Sequence, residues 1–145
     1  MSRMPVVFVG HGSPMNAIED NAYSRGWREM AKRIPKPKAI VSVSAHWYTR
    51  GTRIMDEENP EAIYDMYGFP KELYEVTYNA PGSPEIAKAV KELISREIQF
   101  DNSWGIDHGT WSVLVHMYPE RDVPVFQVSI DAYAPPAVHY NIGKE

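Results

Sequence analysis

Cysteine is absent from this sequence of 145 residues. Disulfide bonds, thiolate metal sites and cysteine nucleophiles are therefore excluded. We expect a cytoplasmic protein, because a cysteine-free composition suits a reducing compartment. The sequence also has no apolar run long enough to span a membrane, and residues 1–5 lead into the first apolar segment without a signal peptide. Membrane insertion and secretion are therefore not expected.

Positive charge is scarce as well. The 15 lysines and arginines are outnumbered by 19 aspartates and glutamates, which gives a formal net charge of -4. A nucleic-acid surface needs clustered basic residues, so we expect no nucleic-acid partner. The length suits one domain with a sizeable core, and the sequence shows no repeat, low-complexity tract or linker. Residues 1–145 are therefore predicted to form a single domain.

Three apolar runs predict the main strands. They occupy residues 6–9, 39–47 and 124–130. The first run has no polar alternation, which is typical of a strand covered on both faces by helices. A helix with apolar residues at helical spacing is predicted over residues 21–33, so the chain would begin with a right-handed β-α-β unit. We therefore expect an α/β fold in three layers, with mostly parallel central strands and helices on both faces.

Weaker signals predict the other elements. Residues 62–70 are rich in aromatic side chains and are expected to form an ordered loop that covers the sheet or walls a pocket. The last helix has no stop signal, so we expect the C-terminal part of the domain to be missing, or a partner to be needed. The remaining predictions are short strands at 52–55, 76–78 and 98–100, a helical turn at 70–75, and helices capped by Ser83, capped by Thr110 and starting near Pro135.

Two histidines follow or end predicted strands. His11 lies in the sequence Gly-His-Gly-Ser-Pro after the first run, and His46 ends the second. The carboxyl ends of parallel strands share one edge, where ligands bind, so we expect the two imidazoles to converge. Such a pair suits a divalent transition metal, with Ser13, Ser44 or a backbone carbonyl orienting the rings. The alternative is that each histidine is an ordinary hydrogen-bonded side chain.

A third histidine lies in a loop dense in reactive residue types, at 104–111. His108 suits proton transfer, because imidazole titrates near neutral pH. The preceding Asp107 is expected to orient this imidazole or to cap the next helix. The alternative for His108 is a loop histidine bonded to the backbone. His116 and His139 are interpreted as structural or solvated.

The residues alone do not complete a metal site. Non-haem iron oxygenases use two histidines and a carboxylate, and zinc sites use three or four protein ligands. Four carboxylates are candidates, and none has diagnostic spacing: Glu19, Asp20, Asp65 and Asp107. The pattern therefore gives a metal hypothesis without a third ligand and without a reaction.

Six motifs, taken in order, resemble a known family. Their sequences are Phe-Val-Gly-His-Gly-Ser-Pro-Met-Asn, Ser-Ala-His-Trp-Tyr-Thr-Arg-Gly, Tyr-Gly-Phe-Pro, Tyr-Asn-Ala-Pro-Gly, Gly-Ile-Asp-His-Gly-Thr-Trp and Met-Tyr-Pro, starting at residues 8, 44, 67, 78, 105 and 117. Together they resemble the class III extradiol ring-cleavage dioxygenases, the LigB-like family, in its bacterial 4,5-DOPA-dioxygenase-like branch. The resemblance extends over essentially the whole chain.

The resemblance implies an α/β enzyme that inserts both atoms of O2 into a catechol-type ring, with a DOPA-like substrate. By resemblance, His11 and His46 match two metal ligands. His108 matches the histidine of the family's Asp-His-Gly loop, close to the substrate, and is expected to be catalytic. The implied metal is ferrous iron for catalysis, or zinc as the bound metal.

Three further residues are predicted to contact the substrate: Ser13, Trp47 and Asp107. Members of the family are nearly twice as long as this chain, and their second half supplies a further histidine and another metal ligand. We therefore expect an N-terminal portion of the domain, with either self-association or a missing C-terminal half. Two alternatives stay open: a small tetrapyrrole metal chelatase, which shares only the first His-Gly-Ser motif, and a non-catalytic half-domain that binds metal.

Overall fold

A four-stranded sheet organises the structure, a computed structural model that describes residues 3–145. Its strands are β1 (Ile40–Thr49), β2 (Thr52–Ile54), β3 (Ile98–Phe100) and β4 (Val125–Asp131), in the order β1-β4-β2-β3. The pairs β1–β4 and β2–β3 are parallel, and β2–β4 is antiparallel. The predicted α/β class with a mostly parallel sheet and flanking helices is confirmed.

Five α-helices surround the sheet. They are α1 (Ala22–Arg33), α2 (Lys71–Tyr74), α3 (Pro84–Leu93), α4 (His108–Met117) and α5 (Pro136–Lys144), and a 3-10 turn covers Pro14–Ala17. Two caps explain where helices begin, and the one at Ser83 is predicted from the sequence. Asn21 and Ser24 form a reciprocal capping box at the start of α1, and Ser83 accepts the Ile86 amide at the start of α3. Among residues 3–145, no helix has both the length and the apolarity needed to cross a bilayer.

The predicted strand at residues 6–9 is not formed. Val6 and Phe8 are 98% and 99% exposed, and the segment pairs with no strand in the described part of the chain. The apolar pattern indicated a buried strand, but a strand also needs a neighbour for its backbone hydrogen bonds. The predicted β-α-β unit at the start of the chain is therefore wrong, and β1 is an edge strand.

Two further predictions need correction. Residues 76–78 form no strand; the buried Tyr78 hydroxyl instead donates to the carbonyl of Tyr118 at 3.0 Å. The helix predicted from Trp111 with Thr110 as its cap begins earlier, because Asp107 caps α4 by accepting the Gly109 amide at 3.0 Å. Sequence alone does not choose between two capping residue types three positions apart. The short strand at 98–100, the turn at 70–75 and the last helix are confirmed, and the strand predicted at 52–55 covers 52–54.

The core lies around β4 and α4. Six of the seven β4 residues are buried, and α4 is buried on most of its circumference, including Trp111 and Leu114. By contrast, β1 keeps several side chains exposed, with Val41 at 45% and Val43 at 63%. A helix that is buried almost all round can hold polar side chains in fixed positions only through hydrogen bonds. This arrangement sets the geometry described next.

Candidate metal centre

Three histidines from different elements converge beside the edge strand. His11 precedes the 3-10 turn, His46 lies on β1, and His108 is the first residue of α4. Each offers one ring nitrogen, and these atoms all lie within 4.8 Å of one another. The Nε2 atoms of His11 and His46 are 2.9 Å apart. The ring of His108 lies 4.2 Å from that of His46 and 5.2 Å from that of His11, centroid to centroid.

Two hydrogen bonds fix the backbone around His11. The Asn16 side chain donates to the carbonyl of His11 at 2.9 Å, and His116 on α4 lies with Nε2 2.6 Å from the carbonyl of Asn16. Gly12 has a φ of +63°, where an added Cβ would meet the Asn16 amide at 3.2 Å, so this position favours glycine. His116 thus has the structural role that the sequence predicts.

His46 and His108 share one buried support. The Asp107 carboxylate is fully buried, caps α4 immediately before His108, and accepts the Ser44 hydroxyl at 2.8 Å. The Ser44 hydroxyl oxygen in turn accepts the His46 amide at 3.2 Å. Ser44 therefore positions the backbone of one candidate ligand, and Asp107 that of the other.

Asp65 is the carboxylate nearest to the imidazole of His108. Its Oδ1 accepts the backbone amide of His108 at 2.9 Å and lies 2.9 Å from Nδ1 of the same residue, close enough for an ion pair although not aligned as a hydrogen bond. Burial alone raises the pKa of Asp65, but these contacts with His108 outweigh it and hold the pKa below its usual value. An ionised Asp65 favours a proton on Nδ1, which leaves Nε2 for a metal or a substrate proton.

The loop that carries Asp65 is anchored to α4. Trp111 donates from Nε1 to the carbonyl of Ile63 at 2.8 Å, and the ring of Tyr64 lies 5.7 Å from that of Trp111. The predicted aromatic segment therefore packs against the helix that begins with His108. Of the two predicted roles for this segment, covering the sheet or lining a pocket, the packing supports the first. It also explains how Asp65 reaches His108, which is 43 positions away.

The charge state of His11 suits metal binding. Burial lowers its pKa, and the nearby imidazoles of His108 and His46 lower it further. The ring is therefore neutral at neutral pH, and the neutral imidazole is the form that coordinates metals. A neutral His11 nitrogen could instead accept a hydrogen bond, so the charge state alone does not indicate a metal. The positions of the His46 and His108 rings are also needed.

The donor set fits a transition metal. The Nε2 atoms of His11 and His46 are 2.9 Å apart, close enough for both to bind one ion through bonds of about 2.1 Å. A single proton between these atoms explains that pair but not the approach of the third ring. Imidazole nitrogens suit iron or zinc, and an ion held by two of the three rings would leave coordination positions open for substrate. The residues present therefore fit a metal of this class, and the donor set does not select between the two.

The structure places the three residues predicted to contact substrate in different surroundings. Ser13 is exposed and caps the 3-10 turn by accepting the Met15 amide. Trp47 is 3% exposed and belongs to the core, and the buried carboxylate of Asp107 is occupied by four donors. Trp47 and Asp107 are thus buried and Ser13 is exposed, and a substrate contact by each of the three stays a prediction.

Sequence reasoning missed the partners of these residues. The sequence indicates Asp65 only as one of four carboxylates without diagnostic spacing. It does not link Trp104 or Gln127 to Asp107, although both side chains donate to its carboxylate. Gln127 lies in an apolar strand at a position where a polar residue is unusual. A buried polar residue inside such a strand is the one sequence signal that would have indicated a hydrogen-bond partner at the site.

Comparison with known proteins shows consistent similarity along the chain. The family described as the catalytic LigB subunit of aromatic ring-opening dioxygenase matches residues 2–144. The chain is 49% identical over 146 residues to a 4,5-DOPA dioxygenase extradiol of Escherichia coli K12, with 99% of this chain and 54% of the relative covered. It is 40% identical over 145 residues to a 4,5-DOPA dioxygenase extradiol of Beta vulgaris, with 94% and 54% covered.

A solved structure shows the same architecture. The crystal structure of an uncharacterized protein from Escherichia coli K12 superposes with a TM-score of 0.77 and 45% sequence identity, and it covers 95% of this chain but 52% of that one. The chain therefore spans about half the length of the curated relatives it matches.

Proposed function

This chain belongs to the LigB family of aromatic ring-opening dioxygenases, and from that premise we propose that it serves extradiol cleavage of a catechol-type ring by O2. The observation that supports this proposal is the convergence of three imidazoles at the edge of the sheet, with one ring nitrogen from each within 4.8 Å of the others. The substrate class is taken from the names of the relatives, so the proposed substrate is a DOPA-like catechol. Residues 1–145 are proposed to be a portion of the catalytic domain.

We assign the metal to His11 and His46, with ferrous iron for catalysis and zinc as the alternative ion. When bound, such an ion supplies the Lewis-acid and redox chemistry that a catechol and O2 need. The three rings approach from different elements, and His46 is exposed while His108 is buried. The site is therefore held rigidly from inside and is accessible from the surface.

His108 is proposed to move the substrate proton. Its Nδ1 lies beside the ionised Asp65, so Nε2 is the nitrogen that can accept a proton from a catechol hydroxyl. Asp65 then stabilises the imidazolium that forms, since its carboxylate stays 2.9 Å from Nδ1. Ser13 remains a predicted substrate contact at the exposed loop. A cytoplasmic location and either self-association or a second polypeptide half remain predictions.

The reaction is tested by oxygen uptake. The chain is loaded with ferrous iron without air and mixed with L-DOPA and air-saturated buffer, and consumption of O2 is followed with an electrode. We expect one O2 per catechol and a product whose mass is that of the catechol plus O2. His46→Ala should abolish uptake, while His139→Ala, a histidine on α5 outside the three-His group, should retain it.

A second candidate function is metal binding without catalysis. It is favoured by the coverage of the relatives, because about half of their length has no counterpart here. Oxygen uptake, measured together with the metal bound per chain, distinguishes the two functions. Retained metal without oxygen uptake supports the non-catalytic half-domain, whereas uptake lost with His46→Ala supports the dioxygenase.

A further inference from the structure

Gln127 is a fully buried polar side chain near the histidines that the reaction does not use. It is 0% exposed and lies in the middle of β4. Its backbone is fixed from both sides, because it is in register with Ser42 on β1 and its carbonyl accepts the Met55 amide at 3.0 Å. A polar side chain fixed so firmly in the core needs partners, and both ends of this amide find them.

Both partners are atoms of one residue. The Gln127 Nε2 donates to Oδ2 of Asp107 at 3.0 Å, and its Oε1 accepts the Asp107 backbone amide at 3.1 Å. The opposite orientation of the side-chain amide would set donor against donor and acceptor against acceptor, so chemistry fixes the orientation. Gln127 therefore holds Asp107 at two points.

The buried side chain of Asp107 is held by hydrogen bonds alone. Oδ1 accepts from Ser44 and Gly109, and Oδ2 accepts from Trp104 and Gln127. No lysine or arginine of residues 3–145 forms an ion pair with it. A buried carboxylate depends on such donors to stay in place, so loss of one donor affects the remaining bonds.

Two routes lead from this carboxylate to the histidines. Along β1, Ser44 links Asp107 to the His46 amide. Along α4, Asp107 caps the turn that begins with His108. The packing is tight where the routes meet, because a Cβ added at Gly109 would lie 2.8 Å from Cδ2 of His46 and 3.1 Å from Oδ1 of Asp107. A displacement of the carboxylate would therefore be transmitted to both rings.

We propose that Gln127 is a positioning residue for the three-His group, acting through Asp107 on the placement of His46 and His108. This inference rests on the proposed function in one respect, since it takes His11 and His46 of the three-His group to be metal ligands. Gln127 contacts neither substrate nor metal. It sets the angle and separation at which two of the imidazoles are presented, as residues beyond the ligands do in metal sites.

The test compares Gln127→Met with Gln99→Met, the same change at an exposed residue of β3. The first readout is amide hydrogen exchange of the metal-free chain by NMR. Gln127→Met should accelerate exchange at Gly109 and His46 at least tenfold relative to an α1 amide, and Gln99→Met should leave the ratio unchanged. Ser44→Ala should accelerate His46 more than Gly109, because it removes the acceptor of the His46 amide directly but only one of the four donors to Asp107.

The second readout is zinc affinity by calorimetry. Gln127→Met should weaken binding by about 10- to 100-fold, the usual range for residues behind metal ligands. Equal exchange ratios and equal affinity, with only a lower thermal midpoint, would overturn the proposal and make Gln127 a core residue. If the unsubstituted chain binds no zinc, the proposed metal site fails, while the exchange ratios still decide the role of Gln127. Should Gln127→Met not fold, Gln127→Asn, which is too short for both contacts, replaces it with the same expected exchange pattern.

Discussion

The two sides of the three-His group differ in how they are built. On the inner side, Asp107 and Gln127 are fully buried and joined by bonds of 3.0 and 3.1 Å. On the outer side, His46 is exposed, Val43 of the same strand is 63% exposed, and β1 has a free edge. The contrast indicates that the inner side determines where the rings lie, whereas the outer side determines what can reach them.

The largest effect is expected from Asp107→Asn. The new amide group must face two of the four donors now held by the carboxylate, whichever way it is turned. Each buried donor left without an acceptor costs about 1–3 kcal/mol, so we expect a loss of about 2–5 kcal/mol in unfolding free energy. Urea denaturation measures it. A loss below about 0.5 kcal/mol, typical of surface substitutions, would show that the network does not stabilise the fold.

A pair of glycines gives the most direct comparison of the two sides. A Cβ at Gly109 would meet His46 at 2.8 Å, while a Cβ at Gly10 would meet nothing within 4 Å. Gly109→Ala should therefore cost about 1–3 kcal/mol and weaken metal binding, since overpacking forces neighbouring atoms apart. Gly10→Ala should leave stability unchanged or raise it by about 0.4–1 kcal/mol. Thermal denaturation of both variants measures these changes in stability. Equal changes for Gly109→Ala and Gly10→Ala would contradict the difference between the two sides.

Acidification should weaken the inner side through Asp65. The contacts with His108 hold the pKa of Asp65 below its usual value, so its stabilising contribution is complete above the unfolded pKa and is lost as pH falls through the folded one. Unfolding free energy should decrease over that acidic window, and Asp65→Asn should flatten this part of the profile. The lowered pKa of His11 also reduces the unfolding free energy as pH falls. That loss begins at a higher pH, because histidine titrates above aspartate, so the two effects can be separated. An unchanged acidic slope in Asp65→Asn would contradict the assigned contact.

The sequence predicted the histidines better than their supports. His46 ends a strong apolar run, and His11 follows Gly in a loop motif, so both positions follow from local pattern. Residues 6–9 show the limit of such reasoning, because an apolar run does not reveal whether a neighbouring strand is present. Asp65 and Gln127 lie 43 and 20 positions from their partners. Contacts over such separations arise from tertiary packing, which no local pattern records.

The most direct test of the central claim is the metal stoichiometry of the purified chain. The chain and its His11→Ala variant are incubated with zinc or ferrous iron, separated from free metal by gel filtration, and analysed for bound metal per chain. The three-His site predicts one tightly held ion per chain and loss of that ion in His11→Ala, with circular dichroism unchanged. A folded chain that retains no metal, or a His11→Ala variant that retains all of it, would contradict the site.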